Sequence, residues 1–137
     1  MIRKEGAPVV ERLEGTRIVA RPAALDALGT APGCIWMRLA ADELLIIGEP
    51  PETAELVLIN DPHAIVLRET GFAGIWRPAE AALDFLTHAC EWELPKTRPA
   101  FAQGMVAGLP VKLWLESDRV LFVTAAPYAV DLEERMR

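Results

Sequence analysis

The chain has 137 residues, 52% of them apolar, and a formal charge of −6. That length suits one hydrophobic core that folds without disulfides, and the acidic balance, with its 14 basic residues scattered, excludes general binding to phosphate backbones. No stretch approaches the ~20 apolar residues of a membrane helix, and the polar start MIRKEGAPVVERLEG lacks the apolar segment of a secretory signal, so the expectation is a cytoplasmic protein with Cys34 and Cys90 reduced.

Residues 1–15, with Gly6, Pro8 and Gly15, read as an N-terminal arm, either disordered or laid across a neighbour. Residues 16–137 read as a single domain. A short strand is expected at 16–20. Pro22 then opens a brief helix to Leu28, closed by Gly29. Strands at 35–39 and 43–47 form a hairpin across Ala40, Ala41 and Asp42. Pro50 and Pro51 interrupt the chain before another apolar run at 56–59, in a stretch that reads as strand-rich. A further strand pair, 63–67 and 72–76, is separated by Glu69, Thr70 and Gly71, the glycine supplying the positive φ of a turn.

Pro78 suits the start of a helix whose apolar face is Ala79, Ala82, Leu83, Leu86 and Cys90. Pro95 and Pro99 bound a loop. Strands 111–115 and 119–124 pair across Glu116, Ser117 and Asp118. Residues 120–123 are apolar without alternation, which predicts cover on both faces. Pro127 opens a last helix with Tyr128, Ala129, Leu132 and Met136 on one side. Two strand–strand–helix segments predict an α+β fold, a mostly antiparallel sheet with helices packed on it.

Reactive chemistry is sparse. There is no phosphate loop and no GxGxxG, and Gly104 and Gly108 read as turn and close-packing residues. His63 and His88 lie in different elements without a second ligand three or four residues on, so no structural metal is expected. Ser117, the only serine, sits in a turn, and Cys90 and His88, two apart on a helix, diverge. The acidic candidate is Asp61 in Asn60-Asp61-Pro62-His63. It can orient a cationic amine or act as a base at the mouth of a strand, or it can cap a turn. His63 is either a proton shuttle or an exposed histidine at a strand start. Trp114 is expected opposite Val111, Leu113 and Leu115, between Lys112 and Glu116. Trp92 lies between Glu91 and Glu93. Both tryptophans are interface candidates, or else residues covered by a second layer of the same domain.

An ordered series of segments gives a more specific direction: Arg38-Leu39-Ala40-Ala41-Asp42-Glu43-Leu44-Leu45, then Asp61 and His63, then an Ala- and Leu-rich helix running into Cys90-Glu91-Trp92-Glu93-Leu94, then Phe101-Ala102-Gln103-Gly104, then Val111-Lys112-Leu113-Trp114. This order, over about residues 35–125, resembles the gamma subunits of heterotetrameric sarcosine oxidases. They are related to the folate-dependent aminomethyltransferases and to the T-protein of the glycine cleavage system. The chain departs from the family at GFAGIWRP, before the main helix, and at PYAVDLEERM near its end.

The resemblance implies a domain like the folate-binding domain of the aminomethyltransferases. It also implies a non-catalytic accessory subunit, itself holding no cofactor or metal, within an oxidoreductase complex that demethylates an N-methylated amine and passes the one-carbon fragment to tetrahydrofolate. Flavin, nicotinamide nucleotide, tetrahydrofolate and zinc would reside on larger partner subunits, with neither nucleic acid nor membrane as a partner. It carries over no catalytic residue, because the residues around Asp61 are not those of the aminomethyltransferases. The alternatives are a stand-alone tetrahydrofolate-binding or aminomethyltransferase-like protein, and a self-associating module.

Overall fold

A computed structural model of the chain describes residues 9–29 and 33–137, Thr53 by its backbone alone. Most of the expected arm, residues 1–8, lies outside the described residues. The packing of the described residues forms two compact units, one between Leu13 and Thr70, the other of the described residues up to Arg12 together with Gly71–Arg137. The segment 16–137 spans both. Each unit is an antiparallel sheet with helices on it, the α+β arrangement expected from the alternation of strand and helix signals, but with two sheets in place of one.

Strand β1 (Val10–Arg12) falls at the end of the expected arm. The Leu13–Thr70 unit begins with β2 (Gly15–Val19) and helix α1 (Pro22–Asp26), which Pro22 opens and after which Gly29 takes φ +66°. β3 (Ile35–Ala40) and β4 (Glu43–Ile47) form the expected hairpin. A 3-10 turn (Glu52–Glu55) leads into α2 (Leu56–Asn60), and β5 (Ile65–Glu69) follows. The strand order is β3-β4-β2-β5. Ile18, Leu44, Ile46 and Trp36 meet Leu25 of α1, Leu28 in the turn after it and Val57 of α2 in one buried cluster. The run at 56–59 is therefore helical, not extended. Four consecutive apolar residues fit either state, and here only Val57 is buried while its neighbours point outward.

The other unit contains β6 (Phe72–Pro78), α3 (Ala79–Ala89), β7 (Ala100–Val106), β8 (Leu109–Leu115), β9 (Arg119–Ala125) and α4 (Ala129–Arg135). The strand order is β1-β6-β9-β8-β7. β5 and β6 thus belong to different sheets. The expected pair at 63–67 and 72–76 is not a hairpin, because β5 pairs with β2 while β6 pairs with β1 and β9. β8 alternates as read: Leu109, Val111, Leu113 and Leu115 are buried and the residues between them are not. They pack with Ile75, Phe122, Ala82, Leu86 and Leu132 in the unit's main cluster, where Phe85 of α3 meets Phe122 edge-on with ring centroids 5.9 Å apart. Val120, Leu121, Phe122 and Val123 are all buried, as the unbroken apolar run predicts. No helix among the described residues is long and apolar enough to cross a membrane.

β7 and β8 are joined by two residues, Ala107 at φ 51° and Gly108 at φ 79°. Positive φ at both centres is the two-residue hairpin geometry that matches strand twist and favours Asn-Gly. Ala107 is held there by its N–H donating to Ala89 O at 2.8 Å and by its carbonyl accepting from Arg135. Ala107→Asn is expected to raise the urea midpoint, by about 0.5–1 kcal/mol in stability, because asparagine tolerates this backbone better than alanine. Gly108→Val is expected to lower it by about 1–2 kcal/mol.

Candidate protein-interaction site

Asp61 closes α2 and is 95% buried. Its Oδ2 accepts the Arg21 backbone N–H at 2.9 Å, and its Oδ1 accepts the His63 backbone N–H at 3.0 Å. The Arg21 guanidinium lies 3.8 Å from Oδ2 and donates to the Asn60 carbonyl. The carboxylate therefore ties the residue before α1 to the turn after α2. These donors, the Arg21 amide first, hold its pKa below the ordinary carboxylate value, although burial opposes them. A depressed pKa suits a structural acceptor better than a proton-abstracting base, which works best near the operating pH. His63 lies in the exposed turn before β5, two residues short of the strand start. Its backbone N–H donates to Asp61. Among the described residues no three His, Cys, Asp or Glu side chains gather as a metal site.

The two candidate tryptophans have separate surroundings. Trp92 lies across β7, its indole N–H donating to Met105 O at 2.9 Å. A Cβ on Gly104 would stand 2.7 Å from the Trp92 ring, so the glycine is what admits it. Gly104 and Gly108 serve as read, in close packing at Gly104 and in a turn at Gly108. Trp114 lies on the sheet face opposite the helices, in register with Phe101 on β7 and Leu121 on β9, and Leu121 in turn faces Trp76 on β6. The Trp114 indole donates to Glu116 Oε2 at 3.0 Å, Glu116 Oε1 pairs with Arg119 at 2.7 Å, and the Arg119 guanidinium stacks 3.8 Å above the Trp76 ring. Such stacking is worth about 0.5–1 kcal/mol where exposed. Each indole N–H is thus satisfied inside its own unit.

The exposed apolar surface lies elsewhere, in residues that the sequence reading did not single out. Among the described residues, six of the eleven exposed large hydrophobic side chains fall between 56 and 67: Leu56, Leu58 and Ile59 of α2, and Ile65, Val66 and Leu67 of β5. Ile59 is 74% exposed. A continuous apolar run usually signals burial on both faces. The signal that separates the two cases is position in the sheet, which local sequence does not carry. Two concavities lie in the same unit. One, of about 280 Å³, is lined by Leu25, Trp36 and Leu44, with Arg38 at its rim already held by Asp26 at 2.9 Å and by three backbone carbonyls. The other, of about 490 Å³, runs beside β5 and includes Glu49, Val66, Leu67 and Arg68.

The pH dependence of Asp61 follows from its shift. A carboxylate whose folded pKa is depressed contributes stability that is complete above its unfolded value and is lost as pH falls through the folded one. Asp61→Asn is therefore expected to lower the urea midpoint at pH 7. The gap from wild type should close only below about pH 4, the ordinary aspartate range. Parallel curves down to pH 2 would show that the carboxylate has no such role.

No family model matches the sequence, and no curated protein matches it. Among solved structures, the chain is similar to heterotetrameric sarcosine oxidase from Corynebacterium sp. U-96 in complex with pyrrole 2-carboxylate, with a TM-score of 0.69 and 16% identity, over 98% of this chain and 84% of that one. The regulatory subunit of aspartate kinase from Thermus thermophilus in its ligand-free form overlaps 94% of each chain at 10% identity with a TM-score of 0.49, too low to carry an argument. The α+β fold, two antiparallel sheets with few helices, is that of a chain of heterotetrameric sarcosine oxidase.

Proposed function

We propose that this chain is an accessory, non-catalytic subunit of a multi-subunit amine-oxidising complex of the sarcosine oxidase kind. The observation that carries the reading is the agreement of two independent comparisons. The ordered motifs from Arg38 to Trp114 resemble sarcosine oxidase gamma subunits, and the fold matches a chain of such an enzyme over 98% of this one. Two features of the site support it. The one buried carboxylate that resembles an amine-orienting residue has both oxygens occupied by backbone N–H groups. The aliphatic side chains at 56–67 stand exposed in a way that suits assembly better than solitary life in water.

On this reading the larger partner subunits hold flavin, nicotinamide nucleotide and tetrahydrofolate. The complex N-demethylates a methylated amine and transfers the one-carbon fragment to tetrahydrofolate. It works in the cytoplasm, where the two unpaired thiols, Cys34 and Cys90, stay reduced.

The test is purification of the tagged full chain from its native cells. Expected are larger chains in fixed stoichiometry, a bound flavin spectrum that travels with them, and N-demethylation by the complex but not by the chain alone. A lone monomer under native conditions would overturn the reading. So would heat of tetrahydrofolate binding to the isolated chain that disappears in Asp61→Ala, which would assign it a site of its own.

A further inference from the structure

Four strands end a sheet among the described residues, β1, β3, β5 and β7, and on β7 the Met105 carbonyl is already taken by the Trp92 indole. Edge strands expose a row of unpaired N–H and C=O groups, and proteins blunt them with bulges, short length or charge. β3, at the other end of the same sheet, has a register shift between Arg38 and Ala40, and β1 has only three residues. β5 has five residues in unbroken register with β2, from Gly15 opposite Glu69 to Val19 opposite Ile65. No strand among the described residues pairs with its other side. Its first three residues are Ile65, Val66 and Leu67, all exposed. Val66 faces the helix side with its partner Ile18, while Ile65 and Leu67 face the other side. α2 adds Leu56, Leu58 and Ile59.

The charges at the strand itself are ion-paired: Arg68 with Glu14 at 2.7 Å, and Arg17 between Glu43 at 2.9 Å and Glu69 at 3.7 Å. The rim is not neutral. Glu49, in the concavity with Val66 and Leu67, and Glu52 and Glu55, in the turn leading into α2, are exposed and form no ion pair among the described residues.

We propose that β5 receives a strand from a different subunit of the complex, one with apolar side chains on both faces at its centre and Lys or Arg at its flanks. Main-chain hydrogen bonds on the open edge require an extended segment, which is recognition by strand addition. The side chains at 65–67 require apolar partners above and below the sheet. The three carboxylates select against a second copy of this chain, which carries the same acidic rim and a charge of −6, and for a basic partner. The inference rests on the proposed subunit role and names the surface through which that role is performed.

The experiment is amide hydrogen exchange on the full chain, free and in the complex isolated from native cells, with three variants. Expected in the complex is exchange at Ile65–Glu69 slowed about tenfold or more. Leu67→Lys should abolish co-purification while the chain stays folded. Val130→Lys, at an exposed position on α4, should leave assembly intact. The double change Glu52→Lys with Glu55→Lys should weaken assembly and flatten its dependence on salt. A complex in which 65–69 exchange as fast as in the free chain overturns the inference and leaves the subunit role standing. So does a folded Leu67→Lys chain that still assembles. Sedimentation showing the isolated chain as a dimer with β5 protected also overturns it, in favour of a second copy. If wild type forms no complex at all, the subunit role falls first and this inference with it. Should Leu67→Lys fail to fold, the wild-type exchange comparison decides alone.

Discussion

The contact between the Asp61 carboxylate and the backbone amides of Arg21 and His63 sets the geometry of the Leu13–Thr70 unit. One oxygen reaches the residue that precedes α1, and the other reaches the turn that follows α2. The Arg21 guanidinium also takes up the Asn60 carbonyl near the end of α2, so a helix of only five residues is anchored at both its backbone and its cap. A helix that short has no stability of its own. Its position depends on Val57 in the core and on this polar clamp. Because the chain turns at Pro62 and enters β5 in register with β2, the same clamp fixes where the strand begins. The carboxylate that resembles a catalytic group in the linear sequence is the fastener of an apolar surface.

Much of this architecture was legible locally. The β3–β4 hairpin, α3, and the alternation along β8 followed from period and turn chemistry, since each pairs with a sequence neighbour or carries its own amphipathic stripe. Two readings failed for one physical reason. Whether Leu56-Val57-Leu58-Ile59 is helix or strand, and whether β5 turns back into β6, are decided by contacts with Ile18 and with β9, far away in sequence. Gly71 is followed by a change of sheet, though its composition is that of a hairpin turn. The unbroken run at 120–123 is doubly buried, as its lack of alternation predicts, while the equally unbroken apolar run at 65–67 stands largely in solvent. The difference is that β9 is central in its sheet and β5 is at an edge.

The tryptophans show the converse. Large aromatics framed by charge suggest an interface because rings with a polar handle are enriched there. For Trp92 and Trp114 the handles are satisfied within their own unit. Trp92 donates to β7 and packs on Gly104, and Trp114 donates to Glu116, which also fixes Arg119 over Trp76. An indole already paired loses nothing by staying where it is, so the drive to bury it against another chain is small.

Aliphatic side chains have no such local outlet. Leu56, Leu58, Ile59, Ile65, Val66 and Leu67 contain no donor or acceptor to satisfy, and only removal from water lowers their free energy. An open strand edge adds backbone groups whose hydrogen bonds water can supply, but with none of the apolar cover that a second strand brings. Where both occur on one strand, with nearby carboxylates that form no ion pair among the described residues, the surface is specific: apolar contact supplies the drive, the strand edge supplies direction, and the acidic surroundings exclude a like-charged copy. A subunit whose contribution is adhesion needs no reactive group, and the chemistry of this chain is concentrated where adhesion requires it.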